Sequence, residues 1–247
     1  MILNRVAKHL KEQHWFAVFL DLVIVVVGVF LGLQAQDWNQ ARQEHALEHQ
    51  YLQRLRADFA QSAEDAKSNI KEMQPQVRLE GQMVNHLRKC HLDAAQRFDF
   101  AKGLLNLGKF YPASLVRGTI DELRSSGRMG IIENLALRRK ISDIVRVQEQ
   151  EAQILGYIVD RATPDIVYID QRDTLIQPPG GFKDGSKAGS PGRVVFDFAA
   201  LCHDPTYISA LSALQWMTHV IVRQNQAQLG DYRTLVAMID SELGKNR

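Results

Sequence analysis

The apolar segment at residues 15–35 constrains this chain more than any other feature. It reads WFAVFLDLVIVVVGVFLGLQA, 21 residues with one charged side chain, Asp21, and one amide, Gln34. A helix of this length rises about 31 Å, close to the thickness of the hydrocarbon core of a bilayer. A helix also satisfies its own backbone polar groups, which lipid requires. The sequence therefore predicts a transmembrane helix at 15–35, with the lipid bilayer as a partner.

Two alternatives compete with a membrane anchor. A cleaved signal peptide needs a small residue where the segment Leu33-Gln34-Ala35 has Leu, and the apolar run is long for an h-region. A core helix of a soluble protein is rarely apolar on all sides over this length. We therefore favour the anchor.

The basic residues around the segment predict its orientation. Arg5, Lys8 and Lys11 precede it, whereas Arg42 is the single Lys or Arg in the fifteen residues after Ala35. Basic residues stay on the cytoplasmic side. We expect a single-pass protein of a bacterial inner membrane, with residues 36–247 as a periplasmic domain. The tail at 1–14 is then cytoplasmic, either as an amphipathic helix on the inner leaflet or as a frayed terminus.

Three residues inside the segment suggest specific roles. Gly28 and Gly32 form a GxxxG pattern, which lets two membrane helices approach closely and predicts association through this face. The alternative is that Gly is simply common in membrane helices. Asp21 is either a polar site inside the membrane, facing a partner or water, or a carboxylate at the inner headgroup level.

The charge of the chain argues against nucleic-acid binding. The net charge is +2, and no basic block alternates with aromatic residues, so nucleic acid is not an expected partner.

Cys90 and Cys202 are the two cysteines, and an oxidising periplasm favours a disulfide between them. Two unpaired small side chains are the alternative. A zinc site that also uses His91 and His203 is disfavoured, because Cys-x-x-Cys spacing is absent.

Hydrophobic periodicity predicts an all-α fold. Apolar residues recur every three or four positions along 36–89, so the span continues as one long helix that Pro75 kinks or ends. We expect further helices at 98–107, 112–126 and from Asn134 onwards. These helices pack antiparallel as a bundle.

The long helices carry stripes that would form the core of this bundle. The second long helix has the stripe Leu137, Ile141, Ile144, Gln148, Ala152, Leu155 and Val159. The last helix starts at Asp204-Pro205 and has a coiled-coil stripe with a polar middle. That stripe is Tyr207, Leu211, Leu214, Thr218, Ile221, Asn225, Gln228, Tyr232, Leu235 and Ile239.

The segment at about 170–200 has a different composition. It is rich in Gly, Pro and Ser, which predicts a flexible loop, with a short strand at 194–198.

Three stretches of the chain resemble a family of short bacterial proteins that is known as a domain of unknown function. They are VIVVVGVFLGLQAQDWN, YLQRLRADF and TIDELRSSGRMGIIENLALRRKI, within the first 70 residues and at 119–141. The resemblance implies one N-terminal span and a helical extramembrane domain. It implies no activity.

No catalytic motif or cofactor-binding pattern is present in the sequence. The charged residues at 117–139 suit solvated ion pairs better than an anion site. We therefore expect a non-enzymatic, membrane-anchored, self-associating helical module for interaction or sensing, with an unidentified protein partner. The alternative function is a homo-oligomeric channel with Asp21 near its inner mouth.

Overall fold

The longest element is one helix, α1, which covers Trp15–Lys89. The structure is a computed structural model, and it describes residues 15–176 and 193–245. The predicted tail at 1–14 lies outside the described residues. The chain forms two compact units, Met1–Tyr51 and Leu52–Arg247, and α1 contributes to both.

In the first unit, α1 carries the apolar segment. Twelve large apolar side chains between Phe19 and Leu33 are each 37–61% exposed. An 18-residue window of this helix has a mean hydropathy of 1.4, and none of the window is buried. Among the described residues, this helix is long and apolar enough to cross a membrane.

The second unit is mostly helical. Its elements after α1 are α2 (Arg97–Leu104), α3 (Gly118–Ser125), a 3-10 turn (Arg128–Ile131), α4 (Leu135–Asp170), β1 (Asp173–Ile176), β2 (Arg193–Phe196), α5 (Phe198–Cys202) and α6 (Pro205–Lys245). The prediction of an all-α fold is confirmed.

Contacts at the two ends of α6 establish the helix directions. Asn134, at the start of α4, donates to Glu242 at the end of α6, and Tyr168, near the end of α4, donates to Asp204 before α6. These helices are therefore antiparallel. α6 also runs antiparallel to the part of α1 in this unit, because Phe59 packs on Tyr232 whereas Glu80 contacts Thr218.

The segment at 90–134 returns along α1 to complete the bundle. Its later residues contact progressively earlier positions of α1, since Pro112 accepts from Asn69 and Val116 donates to Ser62. Glu122 then pairs with Arg54. The chain therefore passes along the bundle four times, three times as a long helix and once as this largely irregular segment.

The predicted stripe of α6 is confirmed at every position. All ten of its side chains, from Tyr207 to Ile239, are buried, including the polar Thr218, Asn225 and Gln228. A 3.5-residue repeat keeps one face of a helix on its neighbours. Asp204 caps the helix as predicted, because its carboxylate accepts from the backbone N–H groups of Thr206 and Tyr207 at 3.0 Å.

The stripe of α4 is correct in its first half and only partly correct in its second, where Leu155 is half-buried and packs against the core. Leu137, Ile141 and Ile144 are buried, but Ala152 and Val159 are exposed. The buried positions further along are Ile158, Ala162 and Ile169. The buried face thus moves round the helix along its length, as the mismatch between a 3.5-residue pattern and 3.6 residues per turn allows.

Two prolines of the described residues lie inside helices, and the predicted helix start at Pro205 is confirmed. α1 continues past the exposed Pro75 to Lys89, and α4 continues past Pro164 to Asp170. The predicted helix start at Pro112 is wrong, because α3 begins at Gly118. Its predicted end is close, since Gly127 follows it with the left-handed φ of +68°.

Both ends of the predicted loop at 170–200 form regular secondary structure. α4 extends to Asp170, and β1 pairs antiparallel with β2, with Asp173 opposite Phe196. The predicted strand at 194–198 ends early, at Phe196, because Asp197 caps the short helix α5. Residues 177–192 lie outside the described residues, so the prediction of a flexible loop stays untested there.

Candidate functional site

The two membrane glycines lie within α1 with open space around them. Apart from the adjacent residues and the nearby backbone of α1 itself, no atom of the described structure comes within 4 Å of a Cβ built on Gly28 or Gly32. Four residues is close to one helical turn, so these positions share a face on which a second backbone has room to approach. Asp21 lies in the same helix, and its side chain is outside the described part of the structure.

Cys90 and Cys202 form a disulfide. Their Cα atoms are 5.1 Å apart, and 112 positions separate them in sequence. The bond joins the end of α1 to the end of α5. Cys90 has a φ of +45°, so the backbone turns sharply where α1 stops.

The histidines beside the two cysteines occupy different environments. The Nε2 atom of His91 lies 3.1 Å from Asp93, whereas Nδ1 of His203 lies 3.4 Å from the sulfur of Cys202. The sulfurs and an imidazole nitrogen of His203 fall within 4.8 Å of one another. Disulfide sulfurs are not thiolates, however, and zinc binds the thiolate.

Buried polar side chains hold the irregular return segment in place. The amide of Asn225 on α6 is 1% exposed; it accepts from the N–H of Ala113 and donates to the carbonyl of Tyr111, both at 2.8 Å. From α1, the hydroxyl of Ser62 accepts from the N–H of Val116 at 2.9 Å. A buried backbone outside regular structure needs such partners. The polar middle of α6 therefore has a structural role.

Glu80 is a buried carboxyl group at the centre of the bundle. It is 1% exposed, and its Oε1 accepts from Gln76 at 3.0 Å and from Thr218 at 3.3 Å. Its Oε2 is buried and has no hydrogen-bond partner among the described residues. Burial raises the pKa of Glu80 to about 7, and the two hydrogen bonds oppose this only in part.

The burial of Glu80 was not predicted, although the sequence carries a signal for it. The stripe of α1 at Met73 and Val77 continues in steps of three and four through Glu80, Val84 and Leu87. Four of these five side chains are buried, and Val77 is partly buried. The apolar stripe of a helix faces the core, so a carboxyl group at a position that continues the stripe is expected to be buried.

A second carboxyl group with a raised pKa lies at the start of β1. Burial raises the pKa of Asp173 to about 7, with a further increase from the charge of Asp170. The hydroxyl of Tyr207 donates to it at 3.4 Å, and this bond lowers the pKa. Burial, and then the negative charge of Asp173, raise the pKa of Tyr207 itself.

The charged segment at 117–139 is partly paired, as predicted. Arg117 pairs with Asp121 at 3.4 Å, and both Arg117 and Arg124 pair with Glu149, at 3.0 and 3.1 Å. These arginine hydrogen bonds hold the pKa of Glu149 below its ordinary value. Arg138 and Arg139 make no ion pair with any residue in the described ranges.

The same segment forms one side of a groove that the sequence did not predict. The groove has a volume of about 610 Å³ and lies between α3, the 3-10 turn and the first half of α4. Four arginines line it: Arg124, Arg138, Arg139 and Arg146. Arg124 lies on α3 and the other three lie on α4, so only folding brings the four together.

The chain matches no family model, no curated protein and no solved structure. Its function is therefore inferred from the arrangement of its own residues.

Proposed function

We propose that this protein is a membrane-anchored, self-associating helical module for interaction or sensing, without enzymatic activity, and that its bundle lies in the bacterial periplasm. The observation that carries the proposal is the exposed apolar surface of α1 between Phe19 and Leu33. The basic residues before the span, Arg5, Lys8 and Lys11, support a cytoplasmic N-terminus.

The size of that surface favours lipid as its solvent. Fully burying a large apolar side chain contributes roughly 1.5–3 kcal/mol, and these twelve are 37–61% exposed, so covering what remains corresponds to roughly 10–18 kcal/mol. The net stability of a domain is about 5–15 kcal/mol. Moving this surface from water into lipid is therefore worth about as much as the folding of a whole domain. A bilayer covers it on all sides.

The glycine face supports self-association within the membrane. Lipid provides no hydrophobic force between helices, so close backbone packing at small residues takes its place. Open space beside Gly28 and Gly32 leaves this face available to a second copy of the span. Paired spans would bring two bundles together, and a partner bound to the bundles would then alter their association.

Membrane extraction of the full chain tests the anchor. We expect the protein to stay in the membrane pellet at high pH and high salt, and to leave it only with detergent. The intact mass should include residues 1–35. Release into the aqueous fraction, or a mature chain that starts after Ala35, would contradict the proposal. Protease added to spheroplasts should digest the bundle and spare the N-terminal tail.

A pair of variants tests self-association. Gly28→Leu with Gly32→Leu should convert the detergent-extracted oligomer to monomer, as measured by light scattering of the complex. The matched control, Val26→Leu with Phe30→Leu, changes the opposite face of the helix and should leave the mass unchanged. A complex of four or more spans that conducts ions in planar bilayers would instead support the channel.

A further inference from the structure

The groove beside α3 combines an apolar floor with a cationic rim. The buried Ile120, Ile141 and Val145 form the floor, and the half-buried Met129 of the 3-10 turn also lines the groove. Its volume of about 610 Å³ lies within the range of roughly 300–1,000 Å³ typical of small-molecule pockets. The groove lies wholly in the second unit, so the inference does not depend on the membrane anchor.

The rim carries more positive than negative charge. Four arginines and two carboxylates line the groove, which leaves a formal charge of +2. Arg124 is paired with Glu149 at 3.1 Å, and Arg146 approaches Asp143 at 3.5 Å. The two carboxylates are thus already engaged by arginines.

Arg138 and Arg139 account for the surplus charge. They are adjacent in sequence on the first turns of α4, and neither makes an ion pair within the described part of the chain. A guanidinium is a planar fork of donors that matches a carboxylate or phosphate group in geometry. Placing two such forks at the edge of an apolar floor favours a ligand with one charged end and one apolar end.

We propose that this groove binds a small amphipathic anion, with a carboxylate or phosphate head at Arg138 and Arg139 and a short apolar body on the floor. The head displaces water from two guanidinium groups that have no carboxylate partner among the described residues. The body covers Met129 and lies against the side chains of Ile141 and Val145. Such a ligand would give the proposed sensing module its small-molecule input.

Direct binding to the full chain tests this proposal. The protein is placed in nanodiscs of zwitterionic lipid and titrated with octanoate, octyl phosphate, 1-octanol and inorganic phosphate by calorimetry, with empty nanodiscs subtracted. We expect one site for octanoate or octyl phosphate and at least tenfold weaker binding of octanol and inorganic phosphate. The ratio of octanoate to octyl phosphate affinity identifies the preferred head group.

Matched variants locate the site. Arg138→Gln with Arg139→Gln should weaken binding of the preferred octyl anion at least tenfold, with an unchanged melting temperature. Arg223→Gln with Arg233→Gln removes the same charge from exposed positions on α6 and should change binding less than twofold. Met129→Glu places a negative charge in the lining of the groove and should also weaken binding.

Three results would overturn the inference. They are equal binding of octanol and octanoate, equal loss in the control pair, and no binding of either octyl anion. Failure of the membrane-extraction experiment would leave the inference standing, because the groove belongs to the bundle alone; the same titration would then be run on the full chain in buffer without nanodiscs.

Discussion

Replacing Glu80 by Gln should remove the pH dependence that this residue gives to the stability of the bundle. Burial raises its pKa from an ordinary value of 4.5 to about 7. The folded state therefore keeps a proton that the unfolded state releases. The contribution of Glu80 to the free energy of unfolding is fully present below pH 4.5, declines as the pH rises from 4.5 to 7, and is lost above that.

The magnitude follows from the two pKa values. A difference of this size corresponds to about 3 kcal/mol once the group is ionised in both states. Glu80 is 1% exposed, so solvent screening does not reduce this figure much. Between pH 5 and pH 8 the wild type should lose about 2–3 kcal/mol from this group, whereas Glu80→Gln should lose none from this position.

The test compares how the free energy of unfolding changes with pH in the two proteins, and not its absolute value. The amide places two N–H donors where the protonated carboxyl has one O–H, at a position without a hydrogen-bond partner in the described structure, so Glu80→Gln also changes the absolute stability by about 1–3 kcal/mol. Asp173, whose pKa is also raised to about 7, gives both proteins a remaining slope of the same sign. The assay is thermal unfolding of the full chain in detergent, followed by circular dichroism from pH 4.5 to 8.5.

A control variant on the same helix makes the comparison specific. Glu72 is exposed on α1, and Glu72→Gln should leave the slope of the wild type unchanged. A loss of 2–3 kcal/mol corresponds to about 4–12 °C in melting temperature for a domain of this size. Parallel curves for the wild type and Glu80→Gln would refute the reasoning, since they would mean that Glu80 titrates alike in both states.

Two further predictions concern the connections within the bundle. Reduction of the disulfide, or Cys90→Ser with Cys202→Ser, should lower the free energy of unfolding by about 3–5 kcal/mol, because the bond closes a loop across 112 positions; denaturant titration with and without reductant measures this. Asn225→Ala should cost about 2–4 kcal/mol in the same titration, because it leaves the N–H of Ala113 and the carbonyl of Tyr111 buried without their partner. Asn225→Asp keeps the acceptor and loses the donor, so equal stability of Asn225→Asp and wild type would contradict the role assigned to Asn225.

The helical architecture was predictable wherever a periodic pattern was long. The stripe of α6 extends over ten positions, and all are buried. An apolar face of that length can leave water only by packing along its whole length against other helices. Local caps at Asn134 and Asp204 were also predictable, since each involves a side chain and a backbone N–H two or three residues away.

The return segment shows why other features were not predictable. Pro112 suits a helix start, yet its carbonyl accepts a hydrogen bond from Asn69 and the next N–H, that of Ala113, donates to Asn225. Both asparagines are distant in sequence. Long-range hydrogen bonds of this kind compete with local propensity and leave little trace in one sequence. Glu80 was predictable in part. Its place in the apolar stripe can be read from the sequence, whereas the lack of a hydrogen-bond partner for Oε2 among the described residues depends on how the neighbouring helices pack.

The sequence by itself determined the apolar helix, its basic flank, the all-α class and the buried face of α6. Each of these depends on residue spacing along a single helix, which the sequence records directly. Only the tertiary structure decided that 90–134 returns along α1, that Cys90 meets Cys202, and that Arg138 and Arg139 lie at an apolar groove with Arg124 and Arg146. These features join elements that are distant in sequence, and their positions follow from how whole helices pack.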